Sequence, residues 1–274
     1  MAVKEVIITL LFLGILPVSD VIAKKYSKAK VAPSASVELK NDQNILPVPF
    51  DPKTATLPVD FKATNIMALY NKLSKANPEK NEFETKDAYL KRIHDNYPYE
   101  IYSFVKETDY RLGLGNLYCE YDPEKQMMSL HYWSYSDGIK IFKNIKSRST
   151  YEASNRFGVK TIVTSIRGDV YGITSINKKG GTSRKISFKL SPDEARVQKN
   201  DLVALIVCKV CPSNGDEPKI THTNTDSSQA TMDSPYEHYY TQYFINVTVY
   251  EVWVFNSKTG VIYAKEILEP LSST

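Results

Sequence analysis

Between Tyr239 and Ile267 the sequence leaves the chain little choice but a long β-strand, a tight turn and a shorter return strand. Tyr243, Ile245, Val247 and Val249 recur at the two-residue period that lines one face of a sheet, and Trp253 and Phe255 continue on odd positions. Glu251 interrupts that series, while Tyr250, Val252 and Val254 carry apolar groups on the even one. The strand is therefore either covered on both faces or bulged near Glu251. Asn256-Ser257-Lys258-Thr259-Gly260 supplies residues that tolerate turn dihedrals, and Val261 to Ile267 can pair back antiparallel. A hairpin this long needs more sheet beside it.

The rest of the chain offers that sheet. Ile66, Leu69, Tyr70 and Leu73 recur at helical spacing before Asn77-Pro78. A second helix is capped by Thr85, carries Tyr89 and Ile93 on one face and stops at Pro98. From Tyr99 the pattern turns to strands: 99–105, then a hairpin of 116–121 and 127–133 about Asp122-Pro123-Glu124-Lys125. Further strands are expected over 139–145, 159–166, 170–176 and 186–190, with turns at Ser154-Asn155, Arg167-Gly168-Asp169 and 177–181. Ser191-Pro192-Asp193-Glu194 has the elements of a capping box that opens a short helix. Leu202 to Val210 is apolar throughout most of its length, as a strand buried on both faces would be. Polar residues from Cys211 to Ser234 predict an exposed loop. The fold class that follows is α+β: two N-terminal helices, then a largely antiparallel β-sheet or sandwich with one short inserted helix.

Ahead of this lies a segment with the marks of export. Lys4, the apolar run Val6 to Val18 and Val21-Ile22-Ala23 form the three regions of a signal peptide over residues 1–23. Pro17 and Asp20 make that run a poor membrane span, and no later segment is apolar enough to cross. Residues 24–60 mix Lys, Ala, Ser and Pro and predict an extended tether, which leaves 61–270 as a single domain. The expected location is periplasmic or secreted. A net charge of +4, spread along the chain, is too weak to imply nucleic acid.

Candidate chemistry is sparse. Cys119, Cys208 and Cys211 are candidates for a disulfide in an exported protein. Cys208-Lys209-Val210-Cys211 has knuckle spacing, but it ends a strand, and His222 and His238 stand too far on for a compact zinc site. Lys258-Thr259-Gly260 and Ser27-Lys28-Ala29-Lys30 match penicillin-binding signatures, yet the first is a hairpin turn and the second lies in the tether. No G-x-S-x-G, P-loop, H-E-x-x-H or G-x-G-x-x-G occurs. The four histidines are too dispersed to nominate a triad, with His94 and His131 read as structural. Two aromatic groups, Tyr132 with Trp133 and Tyr135, and Tyr236 with Tyr239 and Tyr240, could stack on sugar rings, although packing is the commoner use of such residues.

Five short pieces occur in a suggestive order. They are Phe83-Glu84-Thr85 with Tyr89 and Arg92, Tyr121-Asp122-Pro123-Glu124-Lys125-Gln126, Ser154-Asn155-Arg156-Phe157-Gly158, Ser191-Pro192-Asp193-Glu194-Ala195-Arg196, and Lys258-Thr259-Gly260. In that order they resemble a family of exported bacterial proteins of unknown function, over residues 80–265. Arg156 departs from the small residue expected there. The resemblance implies bacterial export and one domain, and carries no catalytic residue. The function expected is a non-enzymatic envelope or protein-interaction module that needs no cofactor. A cell-wall glycan-binding module or an unrecognised hydrolase is the alternative.

Overall fold

A computed structural model describes residues 51–268 apart from 52, 59–60, 77–79, 97–100, 108–116, 134–137, 176–182 and 212–218. The signal segment and residues 24–50 of the tether lie outside the described residues. In chain order come helices α1 (Ile66–Ala76) and α2 (Lys86–Asn96). Six strands follow: β1 (Ile101–Glu107), β2 (Leu117–Asp122), β3 (Met127–Trp133), β4 (Ile139–Ser154), β5 (Lys160–Ser175) and β6 (Ser183–Lys189). After helix α3 (Pro192–Gln198) come β7 (Leu202–Val210), β8 (Thr221–Ser228), β9 (Tyr236–Asn256) and β10 (Ile262–Ile267). The expected sheet-rich fold with one short capped helix is what the chain adopts.

β9 is 21 residues long and is the axis of a seven-stranded sheet. Its length lets two shorter strands share each edge. On one edge β8 pairs with 238–245 and β7 with 247–256, both antiparallel. Asn246 joins them: its N–H donates to the Ile220 carbonyl at 2.7 Å and its own carbonyl accepts from Cys211 N–H at 3.0 Å. On the other edge β5 runs parallel to 236–247, and β10 returns antiparallel along 251–255. β1 extends the sheet beyond β7, and β4 beyond β5. A separate antiparallel sheet, β2-β3-β6, holds the expected hairpin about Asp122.

The phase change expected near Glu251 has a geometric cause. Cys208 faces Val249 and Val207 faces Glu251, so Tyr250 is the extra residue in the ladder with β7. Up to Val249 the odd positions Ile245 and Val247 enter the main core, whereas beyond the bulge Val252 and Val254 do. Trp253 and Phe255 are thereby turned to the opposite face, into a smaller cluster with Leu57, Val203, Leu205 and Val207. Both readings of this stretch hold, because β7 and the second half of β9 are covered on both faces.

Three expectations need correction. Arg167-Gly168-Asp169 is no turn, since β5 continues through it opposite a β4 register shift between Ile145 and Ser147. Gly168 is needed there because a Cβ would stand 2.2 Å from the Asn144 carbonyl oxygen. The polar stretch after Cys211 contains β8, an eight-residue strand. The described end of the tether belongs to the fold: Thr56 bridges to Val261 and Leu57 is buried.

Candidate functional site on the outer face of the long sheet

Alternation along β9 sorts its first half into two surfaces. Tyr243 turns towards α1, where Tyr70 makes an edge contact with it at 5.1 Å and the Tyr70 hydroxyl lies 3.0 Å from Thr223 Oγ1. Tyr236, His238, Tyr240 and Gln242 therefore belong to the outer face, together with their partners in register on β5 and β8. This face joins polar and apolar groups that lie far apart in sequence.

The polar part centres on Asp226. Its Oδ2 accepts from Lys140 Nζ and from Gln242 Nε2, each at 2.9 Å, and its Oδ1 lies 3.3 Å from His238 Nε2. His238 Nδ1 in turn lies 2.7 Å from Ser228 Oγ. In the neutral imidazole, an Nε2–H that donates to the carboxylate leaves Nδ1 to accept the Ser228 hydroxyl proton. Burial acts to raise the Asp226 pKa, but Lys140 and His238 together outweigh it and hold the carboxyl below its ordinary range. The strands explain the geometry. Ser228 and His238 are directly opposed in the β8–β9 ladder, and Asp226 stands two residues back on the same face. Tyr240 packs against the imidazole, with ring centroids 5.0 Å apart, and Lys143 Nζ sits 4.0 Å above the Tyr240 ring.

The apolar part runs beside it. Ile166 is in register with His238, and Tyr236 with Thr164. Tyr236, Ile162 and Ile145 are 60%, 59% and 45% exposed on this face. Sequence reasoning includes Tyr236 but misses Asp226 and Ser228, which sit in the stretch read as a loop. Thr221, Thr223 and Thr225 at a two-residue period are the available signal.

The other candidates fall elsewhere. Tyr132 is buried and its hydroxyl donates to Glu266 Oε2 at 2.5 Å, so it offers no stacking surface. Tyr135 and the Trp133 side chain lie outside the described residues, as does the His94 side chain. Tyr239 points to the opposite face from Tyr236 and Tyr240, under the Arg167 guanidinium at 5.3 Å, and Tyr240 is buried. The two aromatic groups thus provide, among the described residues, one exposed ring on the outer face, that of Tyr236. Cys119, Cys208 and Cys211 are all thiols, so the candidate disulfide does not form. Burial, with Cys211 nearby, pushes the Cys208 thiol pKa up, which makes it an inert core group. His222 stacks on Phe244 at 5.2 Å and His131 on Tyr118 at 4.5 Å, both as packing. Lys258-Thr259-Gly260 is the turn its dihedrals require, with Asn256 Oδ1 accepting from Lys258 N–H and Thr259 N–H at 2.8 and 2.9 Å. Among the described residues no cluster of three His, Cys, Asp or Glu could hold a metal, and no helix is long and apolar enough to cross a membrane.

No protein-family model, curated protein or solved structure matches the chain, so its function has to be argued from this face.

Proposed function

We propose that the chain is an exported α+β module, with α1 and α2 ahead of its sheet, that binds a protein partner in the bacterial envelope. The observation that carries this reading is the exposed apolar trio Tyr236, Ile162 and Ile145 on one sheet face. Three large apolar side chains held by hydrogen-bonded strands lose little entropy on docking and give up water readily. Lys143 and the exposed Arg148 stand on the same face, so a partner bearing acidic side chains around an apolar centre is complementary to it. The glycan alternative is weaker, because one exposed ring offers half of the usual sugar sandwich. Lys4, the apolar run Val6 to Val18 and the small residue Ala23 that closes the segment support export.

Affinity-tagged mature chain, crosslinked in its host, should recover one envelope protein reproducibly. The double variant Tyr236→Ala with Ile162→Asp should lose that protein while keeping its thermal midpoint. Recovery that ignores the double variant would remove this face from the interaction. Depletion by purified cell wall that Tyr236→Ala diminishes would move the reading to glycan.

A further inference from the structure

We propose that Ser228 is a nucleophile for acyl transfer, with His238 as its general base and Asp226 as the group that orients the base. This goes beyond partner binding: its reacting groups are separate from the docking trio, and it shares only Ile162 as a lining residue. Activation of a serine hydroxyl requires a base within hydrogen-bond reach and a third group that fixes the base. Here the base lies 2.7 Å from Ser228 Oγ and the carboxylate 3.3 Å from the far nitrogen of the same ring. The imidazole is used in the reverse sense to the familiar triads, with Nδ1 facing the serine. That makes no chemical difference, since either nitrogen can be the base once the other is held by an acceptor. Asp226 is itself fixed by Lys140 and Gln242, and the ring is fixed by Tyr240, so the base is held in one orientation.

The substrate class follows from the neighbours. Ile166 lies in register with His238, and Ile162 is four residues back along the same face, so an apolar acyl chain can lie along β5. The reacting group is a carboxylic ester with a good leaving group. The Ser228 Oγ–carbon bond forms as the hydroxyl proton passes to His238 Nδ1. The ester carbon–oxygen bond then breaks, and the departing alkoxide takes that proton. Water hydrolyses the acyl-serine through the same nitrogen, releasing the acid and restoring the hydroxyl.

The full chain is incubated with a fluorophosphonate probe, whose phosphorus is attacked by serine with loss of fluoride, and the adduct is located by peptide fragmentation. The expected adduct is on Ser228 and not on Ser227, which faces the other way in the same strand. His238→Gln should slow labelling about a hundredfold, and p-nitrophenyl butyrate should be hydrolysed in parallel. A folded wild-type protein that takes no adduct on Ser228 overturns the proposal, as does labelling whose rate survives His238→Gln. Both results leave the partner-binding test untouched.

Discussion

Glu84, Asp122, Asn155, Ser191 and Asn256 do one kind of work. Each is the polar residue of one of the five ordered motifs, or stands just before it, and each is spent on local structure. Glu84 takes a two-pronged ion pair from Arg92, with both contacts at 2.9 Å, and the Arg92 hydrogen bond holds its pKa below the ordinary value. Asp122 accepts from Glu124 N–H and Lys125 N–H, and Asn155 from Phe157 N–H and Val159 N–H. Arg156 is tolerated where a small residue is expected because Asn155 and Gly158 carry the turn, and its guanidinium lies over the Phe157 ring at 4.8 Å. Ser191 and Glu194 close the capping box as read. Ser191→Ala should cost about 1 kcal/mol in urea denaturation. These residues are legible because their partners lie within a few positions. His222 is not, since its environment comes from another strand. Burial lowers its pKa against an opposing hydrogen bond with Asn246. A histidine whose folded pKa is depressed gives stability that is complete above its unfolded value and is lost as pH falls from 6.5 through the lower folded one. His222→Phe should flatten stability across that interval, read as urea midpoints at several pH values, and an unchanged slope would assign the dependence to other groups.

Among the elements β9 shows most plainly what a sequence pattern can and cannot give. Its period and its turn are local, and both appear where expected. Its parallel partner β5 is not local and is set by the whole topology, whereas β8 precedes it directly and pairs back across residues 229–235. β8 escapes notice because its sequence THTNTDSS has no apolar face. Its threonines face the α1 side and its Asp226 and Ser228 the outer one, so burial is never its signal. The two shorter strand runs 159–166 and 170–176 divide at Gly168 for a related reason. Glycine marks a turn in sequence but here permits close backbone approach to Asn144. The bulge at Tyr250 supports a sharper expectation. Deleting Tyr250 restores an unbroken ladder with β7, and either Val252 and Val254 or Ile245 and Val247 must then leave the main core. The deletion should abolish cooperative unfolding and near-ultraviolet dichroism. Tyr250→Ala keeps the residue count and should retain both.

For the whole molecule the consequence lies at the described start of the chain. Read as tether, residues 53–58 instead close the smaller core: Leu57 N–H donates to the Gly260 carbonyl at 2.8 Å and Ile262 N–H to the Ala55 carbonyl at 3.1 Å. Lys265 Nζ donates to the Thr54 carbonyl at 2.6 Å while lying 3.8 Å above the Trp253 ring. The Leu57 side chain packs into the cluster that Trp253 and Phe255 form with Val203, Leu205 and Val207 of β7. Gly260 is left-handed at φ +74°, and a Cβ on it would stand 2.2 Å from the Leu57 carbonyl oxygen, so the strap and the turn fit only with glycine there. Leu57→Ala should cost about 2 to 5 kcal/mol in urea denaturation, the range for emptying a packed leucine site. A chain begun at Phe61 tests the same point without a cavity. With Trp133→Phe in the background Trp253 is the sole tryptophan, and its emission should shift to the red as 8-anilinonaphthalene sulfonate binds the uncovered cluster. Emission and midpoint both equal to those of the longer chain would show that the cluster closes without the strap, and that the segment is a tether after all.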